Sequence, residues 1–370
     1  MENQTIILVI SAFLGFASGI IMHRSDFCIA GMFRDLFLFR SSPLLRSLVL
    51  LIAFSMLLFE IARLVGILNY SLPSSLYGLP SLTNLLGGIL FGIGMVLAGG
   101  CVVGTLYKLG AGNLPAACAF LGLLVGSALY AEFHPHWKQL TLATRLGDAA
   151  TLPQLLQLPP TLLICVLLLG TGGLLYRWQV KGLLLRPNRV KGYLQPRTAA
   201  LLLAVIGLVS FSLLGMPLGI TTSYTKIGAF FEQRLIPEHV ASLDYFQGHG
   251  FEFFLPISNQ TLHAGAGPFW DGLALIQFPL TLGIVVGSAL SAISMGKFSC
   301  RFDIPRCQLF SALFGGIIMG LGARMTPACN VWHLLGGLPI LSLQSLLFTL
   351  GLLPGAWIGS LVLTCYVLKQ

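Results

Sequence analysis

The sequence predicts an all-α integral membrane protein, and three observations carry that prediction. Hydrophobic residues fill 56% of the 370 positions and charged residues only 9%, where a soluble domain carries roughly 25% charged residues. Mean hydropathy is +0.87. Apolar runs of about 20 residues recur, the length a helix needs to cross hydrocarbon, and the apolar–polar alternation of a membrane barrel is missing.

About nine spans follow, at roughly 5–22, 43–68, 82–100, 112–131, 153–176, 198–220, 270–293, 308–326 and 341–366. The first is too long for a signal-peptide core and has no basic stretch before it, so it reads as a retained helix. Loop charges orient the set. With the N-terminus outside, one face receives Arg24, Arg34, Arg40, Arg46, Lys108, Lys297, Arg301, Arg306, Lys369 and the run Arg177, Lys181, Arg186, Arg189, Lys191 and Arg197. The other receives only Arg63, Lys138, Arg145, Lys226, Arg234 and Arg324. Fifteen against six puts the C-terminus in the cytoplasm by the positive-inside rule. The formal charge of +9 is then mainly topology. Of the eight cysteines, Cys118, Cys165 and Cys365 lie inside apolar runs, where buried free thiols are ordinary packing, so no disulfide framework is expected.

An internal repeat divides the chain. "GIGMVLAGGC" (Gly92 to Cys101) lines up with "GLGARMTPAC" (Gly320 to Cys329), and "GAGNLPAA" (Gly110 to Ala117) echoes "GGLPILS" (Gly336 to Ser342). "GIIMHRSDFCIAGMF" (Gly19 to Phe33) corresponds more weakly to "GITTSYTKIGAFF" (Gly219 to Phe231). The expected organisation is a first inverted repeat over 1–132, a linking helix with a basic cytoplasmic loop over 133–197, and a second inverted repeat over 198–370. An odd linking helix turns the second half over in the bilayer. Inverted repeats of this kind mark transporters, with the site near the midplane.

Chemistry concentrates in four stretches. In "AGGCVVG" the pair Gly99–Gly100 favours a broken helix just before Cys101, which frees backbone N–H groups suited to anions. Lys108 follows two turns later as a source of positive charge. "HRSDFCIAGMFRD" presents Cys28 beside Arg24, either on a re-entrant segment or in an ordinary basic loop. "ARMTPACNVWHLLGG" puts Cys329 and His333 four residues apart, one helix face, with Pro327 suggesting a second break. Such a pair can serve a metal, although a complete site needs three or four ligands. "CRFDIPRC" (Cys300 to Cys307) reads as reduced loop residues. Glu60, three residues before Arg63, reads as a local ion pair, with proton coupling as the alternative. No phosphate loop, dinucleotide fingerprint or serine nucleophile motif is present, so an enzyme is not expected and no cofactor is called for.

The motifs "HRSDFCIAGMFRD", "GIGMVLAGGCVVGTLYKLGAG" and "GLGARMTPACNVWHLLGG" resemble those of the YeeE/YedE family of bacterial inner-membrane sulfur-compound transporters, over nearly the whole chain. The third departs from the family pattern, with Thr326-Pro327-Ala328 in place of a glycine pair before the cysteine. The resemblance implies inverted halves pinched in the middle, short re-entrant helices, and a route lined by Cys28, Cys101 and Cys329. It also implies import of thiosulfate or a similar reduced-sulfur anion, with a small cytoplasmic sulfur-carrier protein as partner and no role for nucleic acid. The expected site is completed by Gly99, Gly100, Arg24, Lys108 and His333. The rival readings are transport of a selenium species or another sulfur oxyanion, a membrane sulfurtransferase forming a cysteine persulfide, and a metal permease using Cys329 and His333.

Overall fold

The computed structural model describes residues 2–68, 76–186, 190, 192–248 and 250–367. Arg189, Lys191 and Lys369 of the basic face fall outside them. The helices of the first half are α1 (Glu2–Ser25), α2 (Ile29–Phe39), α3 (Pro43–Leu64), α4 (Leu82–Leu97), α5 (Val102–Gly110) and α6 (Leu114–Ala143). Then come α7 (Leu152–Leu156), α8 (Pro160–Val180), α9 (Pro196–Leu214) and α10 (Thr221–Leu235). The short α11 (Pro237–Ser242) and α12 (Asp244–Gln247) precede an antiparallel hairpin of β1 (Phe251–Leu255) and β2 (Gln260–Ala264). The chain closes with α13 (Gly272–Ser294), α14 (Arg306–Met325), α15 (Asn330–Trp332), a π-helical turn (His333–Gly337) and α16 (Leu343–Tyr366). Among the described residues nine segments are long and apolar enough to cross a membrane, so this is an all-α multi-pass membrane protein.

Several boundaries differ from those read off the sequence, each for a local reason. The fourth span was expected to end near 131, but α6 runs through Pro135 to Ala143. The extension is polar, which hides it from a hydropathy reading, and it is anchored by Trp137 Nε1 donating to Met325 O at 3.3 Å. The fifth span is broken. Gln157 adopts the left-handed region at φ 54°, Pro159–Pro160 follows, and α8 starts afresh. The sixth span stops at Leu214, where Gly215 at φ 69° caps α9. Cys165 and Cys365 are exposed on their helices rather than buried, and all eight cysteines are free.

Glycine contacts set the directions of the packed pairs. Gly88 and Gly92 of α4 abut Phe348 and Leu352 of α16, so these helices run parallel. Gly122 and Gly126 of α6 abut Leu313 and Ile317 of α14, again parallel. The two pairs join through α4 and α14, which run antiparallel with Gly87 beside Gly322 and Gly94 beside Gly315. Around them α1 packs on α13, and α3 on α9. Helix α8 buries only Ile164 and leans on α3 at the edge of the bundle.

Buried charge is neutralised locally in two places. The Arg63 guanidinium donates to both Glu60 oxygens at 2.9 and 2.6 Å and to Thr161 Oγ1 at 2.7 Å, which is the ion-pair reading of Glu60. Lys226 Nζ donates to Asp271 Oδ2, Gly267 O and Phe269 O, each at 3.0 Å.

Candidate substrate pathway

The three cysteines singled out in the sequence all occupy the same kind of position, the residue just before a short helix. Cys28 is the N-cap of α2, Cys101 of α5 and Cys329 of α15. Gly104 N–H donates to Cys101 Sγ at 3.3 Å. Cys28 makes no side-chain cap bond to α2, and its Sγ lies beside the Cys101 thiol at Gly104. Cys329 Sγ faces the N–H groups of Val331 and Trp332. Each sulfur therefore sits at the positive end of a helix, where backbone donors are free and negative charge is favoured.

The break that makes this possible in the first half is built from glycine and lysine. Gly99 takes φ +69°, left-handed backbone that costs a residue with a Cβ roughly 1–2 kcal/mol. The carbonyl thus released at Gly99 accepts from Lys108 Nζ at 2.5 Å. Lys108 therefore ties the two sides of the break together. A Cβ at Gly100 would approach Thr105 N to 3.2 Å, so α5 turns tightly under it. In the second half Thr326–Pro327–Ala328 makes the break, with Thr326 Oγ1 donating to Gly322 O at 3.1 Å.

Cys28, Cys101 and Cys329 are 3%, 0% and 0% exposed, so the sulfurs are sealed from solvent on both sides. Cys28 and Cys101 meet across Gly104, whose absent Cβ would lie 2.9 Å from one sulfur and 3.2 Å from the other. Cys329 approaches Cys101 closely enough to interact electrostatically, as does the Tyr224 hydroxyl with both. Beneath this cluster a cavity of about 1140 Å³ opens at the end of the bundle that carries Leu363 and Val367. Its walls hold Arg24, Arg34, Lys108, Arg186, Lys297 and Arg301 against Asp26 and Asp303. It reaches Gly99, Gly100, Thr105 and Tyr107, so Tyr107 stands between the basin and Cys28.

His333 is held through both ring nitrogens. Nδ1 pairs with Ser345 Oγ at 2.9 Å and Nε2 with Thr326 O at 3.1 Å, while the ring stacks on Phe348 at 4.3 Å. The carbonyl can only accept, so Nε2 carries the proton and Nδ1 accepts from the serine. Neither nitrogen is free to ligate. Among the described residues the one grouping with metal-ligand spacing is Glu132, Glu232 and His239, away from Cys329.

Sequence reasoning missed Gly104, Tyr224 and Asn330. Gly104 had a signal, being one helical turn after Cys101 in a stretch already noted for its glycines. Tyr224 had none, because only folding brings α10 against the cysteines. Asn330 was visible in the stretch after Cys329 that departs from the family pattern, but its burial was not. Its side chain is 0% exposed and neither amide atom finds a partner.

The apolar crossing helices define a multi-pass membrane protein, with a buried cluster of thiols above a basin rich in cationic side chains. A sulphur-transport family profile covers residues 24–358, and the chain belongs to that family, as a transporter rather than an enzyme. It is similar to the thiosulfate transporter TsuA of Spirochaeta thermophila, 27% identical over 361 residues covering 93% of this chain and 95% of the relative. The thiosulfate transporter TsuA of Escherichia coli is 28% identical over 371 residues, covering 95% and 92% respectively. The probable transporter YedE of Escherichia coli is 26% identical over 165 residues, 45% of this chain and 37% of the relative.

Proposed function

We propose that this protein imports thiosulfate or a closely related reduced-sulfur anion across the bacterial inner membrane, from outside through the Cys329–Cys101–Cys28 cluster into the basic basin. The observation that carries the reading is the meeting of three capped thiols with a basin of six cations against two carboxylates. Thiosulfate combines a soft terminal sulfur with a sulfonate-like end. A neutral S–H donates weakly to the anionic sulfur, whereas a thiolate would repel it. Weak stations in series suit a pathway, since a passing ion must be held and then released. Arg24 and Lys108 draw the ion onward past the positive N-terminal end of α5.

The paired packing of α4 with α16 and α14 with α6 is in keeping with two inverted repeats over 1–132 and 198–370. The peripheral α8 suits the linking segment over 133–197, and the basic basin suits a cytoplasmic C-terminal end. Driving force restricts the mechanism. Moving a dianion into a negative interior costs about 2.3 kcal/mol per charge per 100 mV, roughly 7 kcal/mol at about 150 mV. Uptake therefore needs proton co-transport or rapid consumption of the sulfur inside, for which a small sulfur-carrier protein docking at the basin is the partner.

Radiolabelled uptake into proteoliposomes, with a panel of sulfur and selenium anions and with or without a proton gradient, tests the reading. Thiosulfate should be taken up, and Cys101→Ala should abolish uptake while leaving the protein folded. Full uptake by Cys101→Ala would sink the thiol mechanism, and preference for a selenium anion would change the substrate.

A further inference from the structure

Three side chains of ordinarily charged residues are buried in the described structure: Glu60 at 5%, Lys226 at 0% and Arg324 at 5% exposure. Glu60 has Arg63, and Lys226 has Asp271. Among the described residues Arg324 has no carboxylate partner. Its terminal nitrogens donate to the hydroxyls of Thr221, Thr222 (3.3 Å) and Tyr245 (3.5 Å), and Nε has no partner at all. Neutral hydroxyls do not neutralise a guanidinium, and an unpaired charge in a desolvated interior is costly. The last turn of α14, where Arg324 sits, offers some compensation through the negative end of its dipole. A helix end carries only about half an elementary charge, so it does not replace a carboxylate.

The surroundings are those of an anion site. Thr221 is the first residue of the 15-residue α10, so the positive end of this helix lies beside the guanidinium, with its Ser223 N–H taken by Gln277 Oε1 at 2.9 Å. Arg324 lies within electrostatic reach of Cys329. Further polar atoms without partners lie on the elements that meet here: Tyr224 Oη and Thr225 Oγ1 on α10, and both amide atoms of Asn330 beside Cys329.

We propose that Arg324, seated on Thr221 and Thr222 at the α10 N-terminus, is the outer anion-binding station, which takes the oxyanion end of a tetrahedral sulfur anion before its terminal sulfur reaches Cys329 and Cys101. The inference rests on the import reading for its direction. A guanidinium suits the task because its planar fork matches two oxygens of an SO₃ group. The station is closed to solvent while the basin on the opposite side is open to Gly99 and Gly100, so loading it requires the outer side to open.

Two measurements on Arg324→Gln and Arg324→Lys test this. In proteoliposome uptake, Arg324→Gln should raise the KM for external thiosulfate roughly tenfold or more, with the maximal rate changed far less, since charged hydrogen bonds contribute about 1.5–3 kcal/mol. Arg324→Lys should fall between Arg324→Gln and the parent, and sulfate should compete in the parent but much less in Arg324→Gln. In thermal unfolding of the detergent-purified protein, thiosulfate and sulfate should raise the midpoint of the parent. They should not raise that of Arg324→Gln, whose anion-free midpoint should be equal or higher because an uncompensated charge has gone. An unchanged KM, an anion-induced shift that survives Arg324→Gln, or no shift in the parent overturns the proposal. A loss of anion-free stability with the shift retained does so too, assigning Arg324 a structural role. A parent that does not transport thiosulfate but shows the Arg324-dependent shift sinks the import reading and leaves the anion station standing.

Discussion

Gly104 and Gly99 are five residues apart, both are glycine, and alanine at the two positions should affect transport differently. At Gly104 the new Cβ would lie 2.9 Å from Cys28 Sγ and 3.2 Å from Cys101 Sγ. Comfortable contact begins near 3.5 Å, so the overlaps are about 0.6 and 0.3 Å, and relieving them means pushing the two thiols apart. Overpacking of this order costs about 1–3 kcal/mol. At Gly99 nothing lies within 4 Å of the new Cβ, but φ +69° carries a penalty of roughly 1–2 kcal/mol. The two variants should thus lose similar stability, seen as similar drops in the thermal midpoint in detergent. Their transport should diverge. Gly104→Ala should lose most thiosulfate uptake in proteoliposomes because the methyl occupies the space between the sulfurs, while Gly99→Ala keeps its N–H and retains most of the rate. Equal uptake by the two variants at matched stability would refute the assignment of the Cys28–Cys101 contact to the pathway.

Two other outcomes are expected elsewhere in the molecule. Asp271→Asn leaves the fully buried Lys226 without its counter-charge and should cost about 3–5 kcal/mol, read as a large fall in thermal midpoint. The double variant Lys226→Met/Asp271→Asn, in which asparagine still caps α13, should recover much of the loss, and failure to recover would show that the missing counter-charge is not its cause. Glu232, on α10 outside the crossing segments, has its carboxyl pushed up chiefly by burial and further by Glu132, with His239 opposing. A raised folded pKa means stability that is complete below the unfolded value near 4.3 and is lost as pH rises through the folded value. Glu232→Gln should therefore unfold at a higher temperature than the parent at pH 7 and show no advantage at pH 4, and a gap that grows toward acid would contradict the burial.

The candidate site was partly legible because its chemistry is carried by rare residues in a uniform background. Cysteine after a glycine pair, a lysine two turns on, and an echo of the same pattern some 230 residues later stand out in a chain that is mostly leucine. What could not be read were the partners across the bundle. His333 shared a helix face with Cys329 and looked available. Ser345 and Thr326, brought in by α16 and by the break, take both its nitrogens. Arg324 was counted with the outer-face charges, since sequence says nothing about which cation ends up without an anion.

By itself the sequence determined the solvent of this protein and most of its crossing helices. Hydropathy and length dictate crossing helices because an unpaired backbone group in hydrocarbon costs several kcal/mol, and glycine and proline locate the breaks for the same local reasons. Only the tertiary structure decided which helix ends face one another. That choice comes from interhelical packing, from glycines such as Gly94 and Gly315 that let α4 and α14 approach, and such contacts join residues hundreds of positions apart. The meeting of Cys28 with Cys101, and of Arg324 with Thr221, exists only once those approaches are made.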